Sequence, residues 1–272
     1  MNDKNSKTAK AESLSDTAKL SAQWKSIDWR EAEIQVNRLQ IRIAKATSKK
    51  QWNKVKRFEY LLTHSYYAKL LAVRQVTTNK GKNTSGVDGE LWTTPIAKMQ
   101  AVLSLTDKGY KSSPLRRVYI DKKGSNKKRP LSIPTMYDRA MQAIYALALS
   151  PIAETTADGK SFGFRKGRSC HDACEYVFTA LSRKYSPKWI LEGDIKGCFD
   201  HISHDWLIEN IPMDKSILKQ FLKAGFVFKK DLFPTDEGTP QGGIISPILA
   251  NMALDGMQKL LEDQFHTNQS LG

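Results

Sequence analysis

Cysteine is scarce in this chain. Cys170, Cys174 and Cys198 are the only three among 272 residues. An odd, small number argues against a disulfide scaffold and suits a reducing cytoplasm, with the thiols expected to be buried. Cys170, His171 and Cys174 lack a fourth ligand at sensible spacing, which argues against zinc. Long apolar runs are also missing, so neither a membrane span nor a membrane partner is expected. The start, Met1 to Lys10, is polar and lacks the apolar stretch of a secretory signal. Residues 1–23 read as a disordered basic tail, with order from about Trp24.

The other shortage is acid. Val36 to Arg57 holds eight Lys/Arg and no acid, and Lys108 to Pro130 holds nine with Asp121 alone. The net charge is +15. A solvated helical face explains one such block. Two blocks with this net charge point to a polyanion such as nucleic acid. The candidate RNA contacts are Arg38, Arg42, Lys45, Lys49, Lys50, Lys54, Arg57, Arg116 and Arg117.

What the chain does contain is a run of periodic segments. Trp29, Ala32, Val36, Leu39 and Ile43 fall at helical spacing within 28–46. Residues 51–76 continue the pattern through Trp52, Val55, Phe58, Leu62, Tyr66, Leu70 and Val73, which predicts a helical hairpin with a basic outer face. Residues 79–92 are glycine-rich, and Gly86 and Gly89 suggest positive φ. Residues 116–133 read as a hairpin with a basic tip. Thr135 and Asp138 resemble a capping box for a helix that Pro151 ends or bends. Ser169 and Asp172 repeat the cap for a helix to about Tyr185. Trp189 to Ile195 reads as a buried strand, and Phe226 to Phe233 as another strand. Helices are expected after Ser203 and from Asp214 to Ala224, and Ser246 to Phe265 reads as one long helix.

Two segments carry chemistry. Residues 189–200 run Trp-Ile-Leu-Glu-Gly-Asp-Ile-Lys-Gly-Cys-Phe-Asp and deliver Asp194 at the end of an apolar stretch. Strand-end carboxylates hold divalent cations in nucleotidyl transfer. Taken alone, Asp194 reads more readily as a turn cap, and Phe199 as core. Residues 238–247 run Gly-Thr-Pro-Gln-Gly-Gly-Ile-Ile-Ser-Pro. Two glycines let backbone approach a ligand, and Pro247 suits a first helical turn.

Together these segments resemble group II intron-encoded reverse transcriptase/maturases. Further matches lie in order along the chain. Thr84 to Gly89 resembles a TPGVDG loop, with Ser85 in place of proline. Tyr110 to Pro134 resembles LRRVYIPK…RPLGIP, with Asp121 and Ser132 replacing proline and glycine. Ser161 to His171 resembles S-[YF]-GFRPGRS-x-H, with Lys166 in place of proline. The resemblance covers about Trp24 to Phe265.

It implies an α+β right-hand polymerase fold. The N-terminal helical extension is expected over 24–78, fingers over 79–188, part of a palm over 189–265 and a frayed tail over 266–272. It also implies residue roles. Asp194 and the Ile195 carbonyl would bind Mg²⁺, or Mn²⁺, with Asp194 catalytic. Lys123 and Arg129 would grip the triphosphate, with simple contacts to backbone phosphates of RNA as the lesser alternative. Phe199 would exclude a 2′-hydroxyl and Gln241 would face the nucleotide. Arg165 and Arg168 would contact template. Asp200 and His204 are expected to be structural. The partners implied are intron or template RNA, a DNA primer and dNTP.

The family's hairpin with two adjacent aspartates has no match here, so the metal site is expected to be incomplete. We therefore expect a truncated or split protein that is inactive alone. Two alternatives are a non-catalytic RNA-binding fragment or splicing cofactor, and a phage-defence or CRISPR-associated reverse transcriptase.

Overall fold

A computed structural model describes residues 16–121, 124, 126 and 128–265 of the protein. The expected frayed tail at 266–272 lies outside them, as do residues 1–15 of the expected disordered tail. Residues 16–25 form helix α1, so order begins before Trp24. Helices α2 (Trp29–Ser48), α3 (Trp52–Thr63), α4 (Tyr66–Thr78) and α5 (Pro95–Ser104) follow. Asp28 caps α2 by accepting from the Glu31 amide, and Ala32, Val36, Ile43 and Ala46 turn its apolar stripe inward.

The single helix expected over 51–76 is two. At the break, Thr63 Oγ1 and the His64 amide both donate to the Tyr60 carbonyl, at 3.1 Å each. Side-chain and backbone donors that converge on one carbonyl compete with helix continuation. The change of direction lets α4 as well as α2 pack on α6 (Met136–Thr156), the most buried helix.

Helix α6 passes through Pro151 instead of ending there. Proline has no N–H, so the Leu147 carbonyl one turn earlier loses its helical donor. Gln40 Nε2 of α2 donates to that oxygen at 2.7 Å. Neighbour packing thus replaces the bond that the local sequence removes.

Asp138, buried in the first turn of α6, organises the entry to the sheet. It accepts from Thr135 Oγ1 and Tyr110 Oη at 2.6 Å each and from the Ser113 amide at 3.3 Å. Next to it, buried Arg139 donates to the carbonyls of Pro134, Gly81 and Thr84, which pins the glycine-rich loop. Gly89 has φ +73, as expected. Gly86 does not need positive φ. Its role is close approach, since a Cβ there would lie 2.6 Å from the Thr135 Cα.

The sheet has the order β2-β1-β3-β4. Strands β1 (Leu115–Asp121) and β2 (Lys128–Ile133) form the expected hairpin, with Arg117 opposite Ser132 and Ile120 opposite Arg129. Strand β3 (Phe226–Phe228) runs parallel to β1 and antiparallel to β4 (Asp231–Phe233). The one strand expected over 226–233 is therefore a tight hairpin, turned by Lys229 and Lys230 at φ +51 and +76.

The remaining helices are α7 (Cys170–Leu181), α8 (His204–Asn210), α9 (Lys215–Leu222), α10 (Ser246–Leu254) and α11 (Met257–Gln264), with a 3₁₀ turn at Cys198–Asp200. The Ser169–Asp172 capping box of α7 is complete in both directions. The long helix expected over 246–265 breaks at Gly256, where φ is +101. Asp158 Oδ2 accepts from the Gly256 and Gln258 amides at 3.1 Å each and so caps the second piece.

Two burial expectations fail. Cys170 and Cys174 are exposed, because no residue of α7 is buried, and Cys198 in the 3₁₀ turn is half-buried. Trp189 to Ile195 is not a buried strand. Trp189 and Leu191 are 93% and 97% exposed. A strand needs a ladder partner for its N–H and C=O groups. Among the described residues this segment has none, and the sheet consists of β2, β1, β3 and β4 alone. No helix among the described residues is long and apolar enough to cross a membrane.

Candidate functional site

The loop after β4 builds a cleft together with the β1–β2 hairpin and the 3₁₀ turn. Gly238 donates its amide to the Ile202 carbonyl at 2.8 Å, and Thr239 donates to the Phe199 carbonyl at 2.7 Å. Gly238 has φ +80, and a Cβ there would lie 2.6 Å from the carbonyl oxygens of both Phe199 and Asp200. Only glycine allows this approach. His204, buried in α8, adds a third tie through Nε2 to the Gly238 carbonyl at 2.7 Å. The two distant segments singled out in the sequence are thereby bound to each other.

The other side of the loop meets the β1–β2 hairpin. The Ser132 amide donates to the Gln241 carbonyl at 2.8 Å. Gly242 has φ +113, and a Cβ would come within 2.9 Å of the Ser132 carbonyl. Gln142, buried in α6, accepts from the Ile244 amide at 2.8 Å, and Ser246 Oγ donates to the Pro240 carbonyl at 3.0 Å. The start of α10 is held by both contacts.

These ties enclose a cleft of about 510 Å³ whose walls include Arg117, Ser132, Phe199, Asp200, Thr239 and Gln241. Gln241 Nε2 donates to Asp200 Oδ1 at 3.3 Å, which gives Asp200 a positioning role. Phe199 meets Phe164 edge-on at 5.8 Å. Arg117 stacks its guanidinium 3.8 Å from the Phe226 ring centroid. Burial lowers its pKa, and the nearby Tyr119 and Asp200 oppose that shift. Arg117 Nε and Thr239 Oγ1 are both buried without a hydrogen-bond partner. The Arg117 side chain nonetheless stands in the wall of the cleft. A guanidinium there suits phosphate oxygens.

The other expected site residues divide into three groups. Arg38, Arg42, Lys45, Lys49, Lys50, Lys54 and Arg57 are all exposed on α2, α3 and their junction, and none has an ion-pair partner among the described residues. They form a free basic face. Arg129 is exposed on β2, but it lies opposite Ile120 and so on the hairpin face away from Arg117 and Ser132. It does not line the cleft. Lys123 lies outside the described residues.

Three arginines are committed to the protein itself. Arg165 is buried, and it donates to Glu154 at 2.8–3.2 Å and to the carbonyls of Asp158 and Ser161. With its fork filled, it cannot contact template as expected. Arg116 donates to the Ser85 carbonyl at 3.0 and 2.7 Å. Arg168 uses Nη1 on the carbonyls of Gly159 and Ser161. In each case a loop carbonyl takes at least one of the guanidinium donors. Sequence reasoning passed over Phe164, Thr239 and Glu237, whose Oε1 lies 2.9 Å from His201 Nδ1. Only their position inside recognised segments could have flagged them.

Asp194 is exposed and stands outside the cleft lining. A divalent site needs several converging oxygens. Among the described residues no group of three His, Cys, Asp or Glu could hold a metal ion. Asp194 and the Ile195 carbonyl therefore do not fit a complete site by themselves.

Comparison with known proteins bears on this geometry. Residues 24–105 match a family model described as the N-terminal domain of reverse transcriptase, and residues 120–271 one described as reverse transcriptase (RNA-dependent DNA polymerase). The group II intron-encoded protein LtrA of Lactococcus lactis subsp. cremoris is 39% identical over 214 residues, which is 75% of this chain and 35% of that protein. An "uncharacterized 91 kDa protein in cob intron" of Schizosaccharomyces pombe is 34% identical over 213 residues, 75% of this chain and 26% of that one. A chain of a partial Cas6-RT-Cas1–Cas2 complex is 24% identical with a TM-score of 0.45, over 72% of this chain and 34% of that one. The chain thus spans about a third of the length of the first relative.

Proposed function

Since the chain belongs to the reverse transcriptase family, in its group II intron-encoded branch, we propose that it is the fingers and part of the palm of an RNA-directed DNA polymerase with a maturase role. The single observation that carries this reading is the cleft. Phe199, Gln241 and Arg117 come from three separate sequence motifs and meet in one space. A nucleotide fits it by chemistry: phosphate on Arg117, sugar against the Phe199 ring, base edge near Gln241.

The basic face of α2 and α3 is our candidate for intron or template RNA, through phosphate contacts. The N-terminal helical extension over 24–78, fingers over 79–188 and partial palm from 189 remain our division of the chain. Three free thiols fit a cytoplasmic setting. Asp194 is our candidate for one catalytic carboxylate of a Mg²⁺ or Mn²⁺ site, with Ile195 beside it. DNA primer and dNTP complete the proposed partners. One carboxylate is too few for two-metal chemistry, so we expect this 272-residue chain to bind a template-primer without extending it.

The test is extension of a DNA primer on an RNA template by the 272-residue chain, with binding followed in parallel. Binding without synthesis is the expected result. Robust synthesis lost in Asp194→Ala would show that another carboxylate completes the site. Failure of the folded chain to bind any RNA would remove the nucleic-acid reading.

A further inference from the structure

A second pocket, of about 740 Å³, lies away from the cleft between α3, α6 and the turn joining α8 to α9. Its size is within the roughly 300–1,000 Å³ of small-molecule sites. One stripe of α3 forms a wall. Trp52, Lys56, Glu59, Tyr60 and Thr63 recur at intervals of three and four, so all face the same way. Trp52 and Tyr60 are 43% and 62% exposed, and the Tyr60 ring stacks on His64 with centroids 4.0 Å apart, which leaves its other face for a ligand. Along the helix axis they stand about 12 Å apart.

Between them lies Glu59, only 8% exposed. Its carboxyl lines the pocket and has no hydrogen bond or ion pair among the described residues. Burial, opposed by Lys56 and Lys215, pushes its pKa up to about 8. At neutral pH it is a carboxylic acid with one donor and one acceptor. On the opposite wall Lys215 Nζ donates to the carbonyls of Ile211 at 2.6 Å and Glu209 at 3.3 Å. One of its three protons is left for an anion. Lys56 supplies a second ammonium at the rim.

We propose that this pocket holds a short single-stranded nucleic-acid segment, with one base inserted against Glu59, its neighbours stacked on Trp52 and Tyr60, and a phosphate between Lys56 and Lys215. Alternating aromatics and lysines are the common equipment for unpaired strands, where stacking supplies affinity and ammonium groups track the backbone. A carboxyl with both a donor and an acceptor matches the paired edge of a base. The site deepens the nucleic-acid reading and rests on it for the ligand's class. It joins the helical N-terminal part to the domain that bears the cleft, so one strand could be fixed far from the reacting end.

The pocket also predicts a pH dependence. The charged and titratable groups that face Glu59 are Lys56 of α3, Tyr145 of α6, Glu209 of α8, and Asp214 and Lys215 at the start of α9. As pH rises through about 8, Glu59 ionises, loses its donor and repels the phosphate.

The experiment is calorimetric binding of the trinucleotides rArArA, rUrUrU and dAdAdA to the full chain, without divalent cations. Trp52→Ala and Tyr60→Ala should each weaken binding by about fivefold to a hundredfold, the range of lost base stacking. Glu59→Gln should abolish the fall in trinucleotide affinity that the parent chain shows between pH 7 and 9. The ribo and deoxy trimers decide whether RNA or DNA is the occupant. A chain that binds longer RNA, but whose trinucleotide affinity ignores Trp52, Tyr60 and Glu59, would overturn the pocket and leave the family reading intact. A folded chain that binds no nucleic acid at all would overturn both.

Discussion

Replacing Gly238 by alanine isolates the contact that assembles the cleft. Two glycines with the same backbone sign make the comparison. Gly109 has φ +70 with nothing within 4 Å of a built Cβ, whereas Gly238 has φ +80 with two carbonyl oxygens at 2.6 Å. Alanine at either position meets the left-handed penalty of about 1–2 kcal/mol. At Gly238 it must also push apart the 198–202 turn and the 238–241 loop. That shift breaks the hydrogen bonds from Gly238 to Ile202 and from Thr239 to Phe199, worth about 0.5–1.5 kcal/mol each. Gly238→Ala should therefore cost about 2–5 kcal/mol, and Gly109→Ala about 1–2 kcal/mol. Urea unfolding of the two variants beside the parent measures both, and nucleotide binding in the cleft should weaken only in the first. Equal destabilisation by the two substitutions would refute the claim that close approach, and not φ alone, demands glycine at 238.

Three further outcomes follow from particular contacts. Neutralising Arg38, Arg42 and Lys45 together should weaken RNA binding and flatten the salt slope by about 2, at roughly 0.7 per phosphate on a single strand; an unchanged slope would mean an idle solvated face. Gln40→Leu should cost about 1–3 kcal/mol by orphaning the Leu147 carbonyl, and less in a Pro151→Ala background, where a helical N–H returns; additivity in that double-mutant cycle would sink the explanation. Glu59 is a carboxyl whose folded pKa, about 8, exceeds the ordinary 4.5, so the folded state holds the proton more tightly and stability should fall as pH rises from about 4.5 to 8, then level off. Glu59→Gln should remove that slope, of order 3–5 kcal/mol in total, in denaturant titrations across the window.

Local grammar was legible without coordinates wherever a short-range rule acts alone. Ser169 and Ser203 cap helices by side-chain bonds to amides three residues on, as their spacing predicted, and Asp28 and Asp214 do the same at helix starts to which the sequence reading gave no cap. The 116–133 hairpin and the apolar stripe of α2 were likewise local patterns. The family, and with it the α+β architecture, was readable because several motifs stand in order along one chain.

Elsewhere the chain's own pattern pointed the wrong way, and for one reason. Residues 189–195 are apolar enough for a buried strand, yet a strand exists only if another backbone pairs with it. Pro151 signals a stop, yet Gln40, 111 positions earlier, supplies the missing donor. Arg165 carries the charge of a phosphate ligand, yet Glu154 and two carbonyls occupy its fork. Composition and motif order determined the class of protein, and the excess of basic residues underlies the proposal of a polyanionic partner. Only the tertiary structure decided which arginines are free, which glycine is irreplaceable, and that Phe199, Gln241 and Arg117 share one cleft. Those outcomes depend on groups distant in sequence competing for the same hydrogen bonds.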